Sequence, residues 1–94
     1  MDLYLQVSLE ASKRLTQAYS TSFSSGIRTL DKEYHEAIYA IYAFVRLADE
    51  IVDSFYEQDQ AGLLLQFRQD THRAIEERLS MNPILNAFQW AVNT

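Results

Sequence analysis

Whatever chemistry this sequence holds is concentrated in two aspartates and one arginine. Asp49 and Asp53 stand four residues apart, and Arg46 precedes the first of them by three. On a helix, residues three and four apart share a face, so the two carboxylates would sit with Cβ atoms about 6 Å apart and Arg46 one turn earlier. At that separation their repulsion is about 3 kcal/mol at an effective dielectric near 20, and a divalent cation reverses its sign. Mg²⁺ accepts one or two carboxylates, keeps several waters and completes its octahedron with substrate phosphate oxygens. The Asp-x-x-x-Asp edge therefore suits a diphosphate clamp in which Arg46 holds phosphate oxygens directly. The spacing alone also fits a solvated helix face, with Arg46 paired to Glu50 at i+4 for about 0.3–0.5 kcal/mol.

The element that must carry these residues is the second of four helices legible in the sequence. Ile38, Ile41, Val45, Ala48, Val52 and Phe55 step by three and four, which predicts one apolar stripe for packing. Tyr39, Tyr42, Arg46, Asp49 and Asp53 repeat that spacing one residue further on, so they share a neighbouring face about 100° around the axis. From Ala37 to Ala48 the segment is apolar or aromatic nearly all round, as in a helix surrounded by others. Its second half then points Arg46, Asp49 and Asp53 into a cavity or solvent. Asp31 is placed to cap this helix, which is expected to run to about Tyr56.

Before it, Leu3, Val7, Ala11, Leu15 and Ala18 mark an amphipathic helix ending near Tyr19. The stretch Ser20-Thr21-Ser22-Phe23-Ser24-Ser25-Gly26 reads as a loop, because short hydroxylic side chains compete for backbone hydrogen bonds and Gly relaxes φ. After it, Leu64, Phe67, Thr71, Ile75 and Leu79 mark a surface helix stopping near Ser80. Asn82 and Pro83 form an N-cap and N1 pair for a last helix through Ile84, Leu85, Phe88 and Val92. That last pattern is still running at Thr94 without a C-cap signal, which leads us to expect the N-terminal part of a single helical domain over residues 1–94, its second half absent.

Composition agrees. Two Gly and one Pro in 94 residues leave little turn chemistry for hairpins, so the fold class is all-α. With no Cys, neither disulfides nor thiolate metal sites exist. A net charge of -5 opposes a phosphate backbone, which excludes nucleic acid as the expected partner and requires a cation between these carboxylates and any phosphate ligand. The chain has no secretory leader pattern and no apolar run of about 20 residues, so a cytoplasmic protein is expected, at most peripheral to a membrane. His35 and His72 lack the Glu at the preceding turn that a di-iron helix requires and are given no role.

Taken jointly, the segments resemble one family. Tyr19-Ser20-Thr21-Ser22-Phe23-Ser24, the run from Ala37 to Asp53, Phe67-Arg68-Gln69-Asp70 and Asn82-Pro83-Ile84-Leu85 are similar to the opening helices of the squalene/phytoene synthases. The resemblance covers almost the whole chain and implies an isoprenoid-synthase-type helical bundle. It implies head-to-head condensation of two prenyl diphosphates through a cyclopropylcarbinyl diphosphate, assisted by Mg²⁺. Carried over residue by residue, it makes Asp49 and Asp53 metal ligands, gives Arg46, Ser20 and Ser22 the diphosphate, and lines the prenyl chain with Phe23 and Tyr42.

Two departures qualify the likeness. Many relatives carry His where this chain has Tyr19. The family also sets two Asp-rich motifs across a cavity, whereas Asp49 and Asp53 form the sole Asp-x-x-x-Asp here. The 94 residues alone are therefore expected to be inactive, needing a longer chain or a complementary polypeptide for turnover. Two other readings stay open: a fragment of a chain-elongating prenyltransferase or terpene cyclase, and a non-catalytic helical module that pairs with itself or a partner through exposed apolar faces.

Overall fold

The computed structural model describes residues 1–94 as five helices with no strand: α1 (Leu3–Tyr19), α2 (Thr21–Ile27), α3 (Lys32–Ser54), α4 (Gln60–Glu77) and α5 (Pro83–Asn93). The all-α expectation holds. Most boundaries follow from local chemistry. Asp2 caps α1 by accepting the Leu5 N–H at 2.7 Å, Asp59 caps α4 through the Gly62 N–H at 3.1 Å, and Asn82 accepts the Ile84 N–H at 3.0 Å ahead of Pro83. Asp31 occupies the N-cap of α3 as expected, but its side chain makes no capping bond.

The Ser-rich stretch corrects the sequence reading. It is a short helix, with the Ser24 N–H donating to the Ser20 carbonyl at 3.1 Å. Ser20 begins it by accepting the Phe23 N–H at 3.1 Å. Hydroxylic residues disfavour helix interiors, yet at the cap and first turn they satisfy donors that would otherwise be orphaned.

α1, α3 and α5 pack on one another, with Leu9, Ala40 and Ala87 at the centre and Leu5, Trp90 and Ala91 around them. Phe44 stacks on Phe88 with centroids 3.8 Å apart and on Phe67 at 5.4 Å, tying α3 to α5 and α4. Which faces meet differs from the expected stripes. α1 buries Ser8, Leu9, Ser12 and Thr16, while Leu3 and Val7 are exposed. α3 buries Tyr39, Ala40, Ala43 and Ile51, while Ile41, Val45, Val52 and Phe55 are exposed.

Small side chains decide this. Ala40 and Ala43 on α3, Ala87 on α5 and Ser8 and Ser12 on α1 let three backbones approach closely, and Ser12 and Thr16 return their hydroxyls to the carbonyls of Ser8 and Ser12 at 3.0 and 2.9 Å. The bundle is also thin, with extents of 39 × 31 × 18 Å. Helices with side chains are about 10–12 Å across, so a slab of that thickness cannot cover α3 on every side. No helix is long and apolar enough to cross a membrane.

Candidate functional site

α3 is continuous from Lys32 to Ser54, so the separation of three between Arg46 and Asp49 and of four between Asp49 and Asp53 becomes one acidic edge with a guanidinium at its upper end. The three side chains converge. Arg46 Nη1 lies 3.8 Å from Asp49 Oδ2 and 3.8 Å from Asp53 Oδ2, so one cationic atom bridges both carboxylates. Arg46 Nη2 donates to Glu50 Oε2 at 2.8 Å, and this is its tightest bond. The Arg46 side chain is 23% exposed, whereas those of Asp49 and Asp53 are 56% and 65% exposed. The aspartates thus open to solvent and do not face the bundle interior.

α1 supplies the floor. Its last residue, Tyr19, places its ring 4.5 Å beneath the Arg46 guanidinium carbon in a cation–π contact. The Glu50 carboxylate facing the phenol raises the Tyr19 pKa above 10.0; partial burial adds to the shift and Arg46 opposes it. The Glu50 carboxyl is held below the usual 4.5, first by the Ser54 hydroxyl on the next turn and then by Tyr19 and Arg46, against a desolvation that pushes the other way.

α2 supplies the wall. Phe23 stacks on Tyr42 with centroids 4.3 Å apart and planes 22° from parallel. Phe23, Ile38, Ile41, Tyr42 and Val45 line an apolar hollow of about 230 Å³, one turn along α3 from Arg46. Two larger hollows lie elsewhere. That of about 350 Å³ between α1 and α3 is lined mainly by polar and charged groups, including Glu10, Lys13, Arg28 and Glu36, and that of about 320 Å³ between α4 and the turn after it includes Asp70, Arg73 and Glu77. Neither includes Arg46 or the aspartates, so position and not size singles out the apolar one.

The residues singled out from the sequence therefore fall into two groups. Arg46, Asp49 and Asp53 are together, and Phe23 and Tyr42 are together on the adjoining turn. Ser20 uses its oxygen to cap α2, Ser22 is exposed, and neither hydroxyl bonds to Arg46 or the aspartates. Sequence reasoning treated Glu50 only as a surface partner of Arg46 and assigned Tyr19 no function. The i+4 spacing signalled Glu50, but nothing short of the packing of α1 on α3 places Tyr19 under the guanidinium.

The donor set fits a hard divalent cation. Asp49 Oδ2 and Asp53 Oδ2 each lie 3.8 Å from Arg46 Nη1, both carboxylates are more than half exposed, and Mg²⁺ takes such ligands with waters and phosphate oxygens. No three His, Cys, Asp or Glu side chains cluster as a closed metal cage.

Fold and site together define an all-helical protein with an acidic, guanidinium-bridged edge beside an apolar hollow. The chain belongs to the squalene/phytoene synthase family, whose model matches residues 16–94 and so spans Tyr19, Phe23, Tyr42, Arg46, Asp49, Glu50 and Asp53. This is a prenyltransferase-like enzyme family of isoprenoid biosynthesis, of the head-to-head synthase type, whose members use Mg²⁺ with prenyl diphosphates. No curated protein and no solved structure matches the chain.

Proposed function

We propose that this chain supplies the first Asp-rich diphosphate motif of a head-to-head prenyl diphosphate synthase, of the phytoene or squalene synthase type. One observation carries the reading: Arg46, Asp49 and Asp53 stand on the turns directly after an apolar hollow built by Phe23, Ile38, Ile41, Tyr42 and Val45. A ligand with a polyanionic head and an apolar tail matches that order of surfaces. Asp49 and Asp53 would hold Mg²⁺. When bound, the metal offsets the negative charge of the diphosphate and favours its departure.

The chain's own groups do the rest. Arg46 offers paired N–H donors to phosphate oxygens, a geometry that also stabilises charge gathering on a leaving diphosphate. In this reading the hydroxyls of Ser20 and Ser22 would donate to the same oxygens. Phe23 and Tyr42 present a stacked apolar wall that excludes water from the prenyl chain. A single aspartate pair holds only part of the charge of two diphosphates, so turnover calls for a further acidic motif outside this chain. Purified alone with Mg²⁺, the 94 residues should form no prenyl product.

Calorimetry tests the site. A non-hydrolysable prenyl diphosphate analogue should bind in the presence of Mg²⁺, and Asp49→Asn or Asp53→Asn should weaken that binding at least tenfold. Binding indifferent to both substitutions overturns the reading. The exposed row of Ile41, Val45, Val52 and Phe55 favours an additional property, self-association through α3. Sedimentation showing a monomer at every concentration would remove it.

A further inference from the structure

The grip on Arg46 is uneven. Glu50 holds it at 2.8 Å, a hydrogen-bonding distance, while both aspartates stand off at 3.8 Å, beyond the reach of about 3.2 Å for N–H···O bonds. A guanidinium left to itself prefers to fork onto a carboxylate with two short parallel bonds. Two carboxylates stand beside it and receive neither. Something holds the guanidinium back.

We infer that Glu50 and Tyr19 are positioning residues, restraining the Arg46 guanidinium so that Asp49 and Asp53 stay open to a cation while Nη1 remains beside them for a phosphate oxygen. The inference rests on the reading of Asp49 and Asp53 as cation ligands. Glu50 is the better anchor because its side chain is 15% exposed against 56% and 65% for the aspartates, and a less solvated carboxylate attracts a cation more strongly. Tyr19 adds a restraint that α3 cannot provide for itself. Its ring, at the end of α1, backs the guanidinium at 4.5 Å and fixes its position relative to the aspartates.

The other arginine–glutamate pair of the chain lacks these features. Arg73 and Glu77 meet at 3.1 Å on α4 with side chains 75% and 56% exposed, and no aromatic ring lies over that guanidinium. It is an ordinary surface pair. At Arg46, by contrast, one guanidinium is shared among three carboxylates and an aromatic ring drawn from two helices.

Mn²⁺ serves as the probe, since it takes the same oxygen ligands and its free fraction is read directly by electron paramagnetic resonance. Titrations use the whole 94-residue chain, with circular dichroism confirming that each variant is helical. Tyr19→Leu changes no charge, so it should weaken Mn²⁺ affinity only by letting Arg46 close on the aspartates, about twofold to fivefold, the weight of an exposed ion pair. Tyr19→Phe keeps the ring and should retain most of the affinity. In an Arg46→Met background Tyr19→Leu should have no effect.

Glu50→Gln provides a second arm should Tyr19→Leu unfold. Its loss of affinity should shrink in the Arg46→Met background, leaving only the part due to the missing charge. An effect of Tyr19→Leu or Glu50→Gln that is undiminished without Arg46 overturns the inference, as does wild-type affinity in both single variants. Asp49→Asn separates the two levels: if it leaves Mn²⁺ binding intact the cation site itself is wrong, whereas if it abolishes binding and the positioning variants bind normally, only the restraint fails.

Discussion

The side-chain amide of Asn86 on α5 donates to the Ser8 hydroxyl on α1 at 3.1 Å, joining two buried residues separated by 78 positions of chain. The same amide oxygen accepts the Ser80 N–H at 3.1 Å and the Gln89 amide at 3.4 Å, and Ser8 passes its own proton to the Tyr4 carbonyl at 2.8 Å. Tyr4 closes the circuit by donating to the Ser80 carbonyl at 2.8 Å. A polar lock thus fixes the start of α1 against the turn between α4 and α5.

Asn86→Ala should cost about 1–3 kcal/mol, because it leaves buried donors and acceptors without partners. Urea unfolding measures it. A double cycle with Ser8→Ala should be non-additive, since each change removes the same bond; strict additivity would mean the bond carries no coupling.

Leu85 is 1% exposed, and Leu85→Ala should destabilise by about 2–5 kcal/mol through lost burial and a residual cavity. Leu65, 56% exposed on α4, should tolerate the same change within about 0.5 kcal/mol. Equal costs at the two positions would contradict the packing described.

The two glycines should respond with opposite signs. Gly26 lies inside α2 with nothing within 4 Å of an added Cβ, so Gly26→Ala should stabilise by about 0.5–1 kcal/mol by restricting the unfolded chain. An added Cβ at Gly62 would run into the Asp59 carboxylate that caps α4. Gly62→Ala should therefore lower the melting temperature.

Ser24 is 3% exposed and its hydroxyl has no partner. Replacing it with Ala removes an unsatisfied group from a helix, and Ser24→Ala should be neutral or stabilising by up to about 1 kcal/mol. A clear loss of stability by denaturant titration would show that the hydroxyl is engaged.

Glu50 gives a pH signature. Its folded carboxyl sits below the usual 4.5, so the folded state favours the ionised form; the stabilisation is complete above the unfolded value and is lost as pH falls through the folded one. The melting-temperature advantage of wild type over Glu50→Gln should be constant near neutrality and fade below about pH 4.5. An advantage that persists well below that window contradicts the assignment of Ser54, Tyr19 and Arg46 as its cause.

The acidic edge was fully legible in sequence, because a continuous helix converts a separation of three or four residues into a shared face without help from the rest of the fold. The caps at Asn82 and Pro83 were legible for the same reason, being chemistry between neighbours. The Ser-rich segment misled because hydroxylic residues serve equally in loops and in first turns, and the backbone conformation, not the residue type, chooses between them.

By itself, then, the sequence determined the helical class, the family and the Arg46, Asp49 and Asp53 triad, all of which rest on residue types at fixed local offsets. Tertiary structure alone decided which helix faces are buried, and that Tyr19 lies beneath Arg46. Periodicity reveals that an apolar face exists, but close approach of three helices selects the face with the smallest side chains, Ala40, Ala43 and Ala87 with Ser8 and Ser12, over the bulkier row from Ile41 to Phe55. That choice depends on backbone separation, a property of the assembled bundle that no single segment encodes.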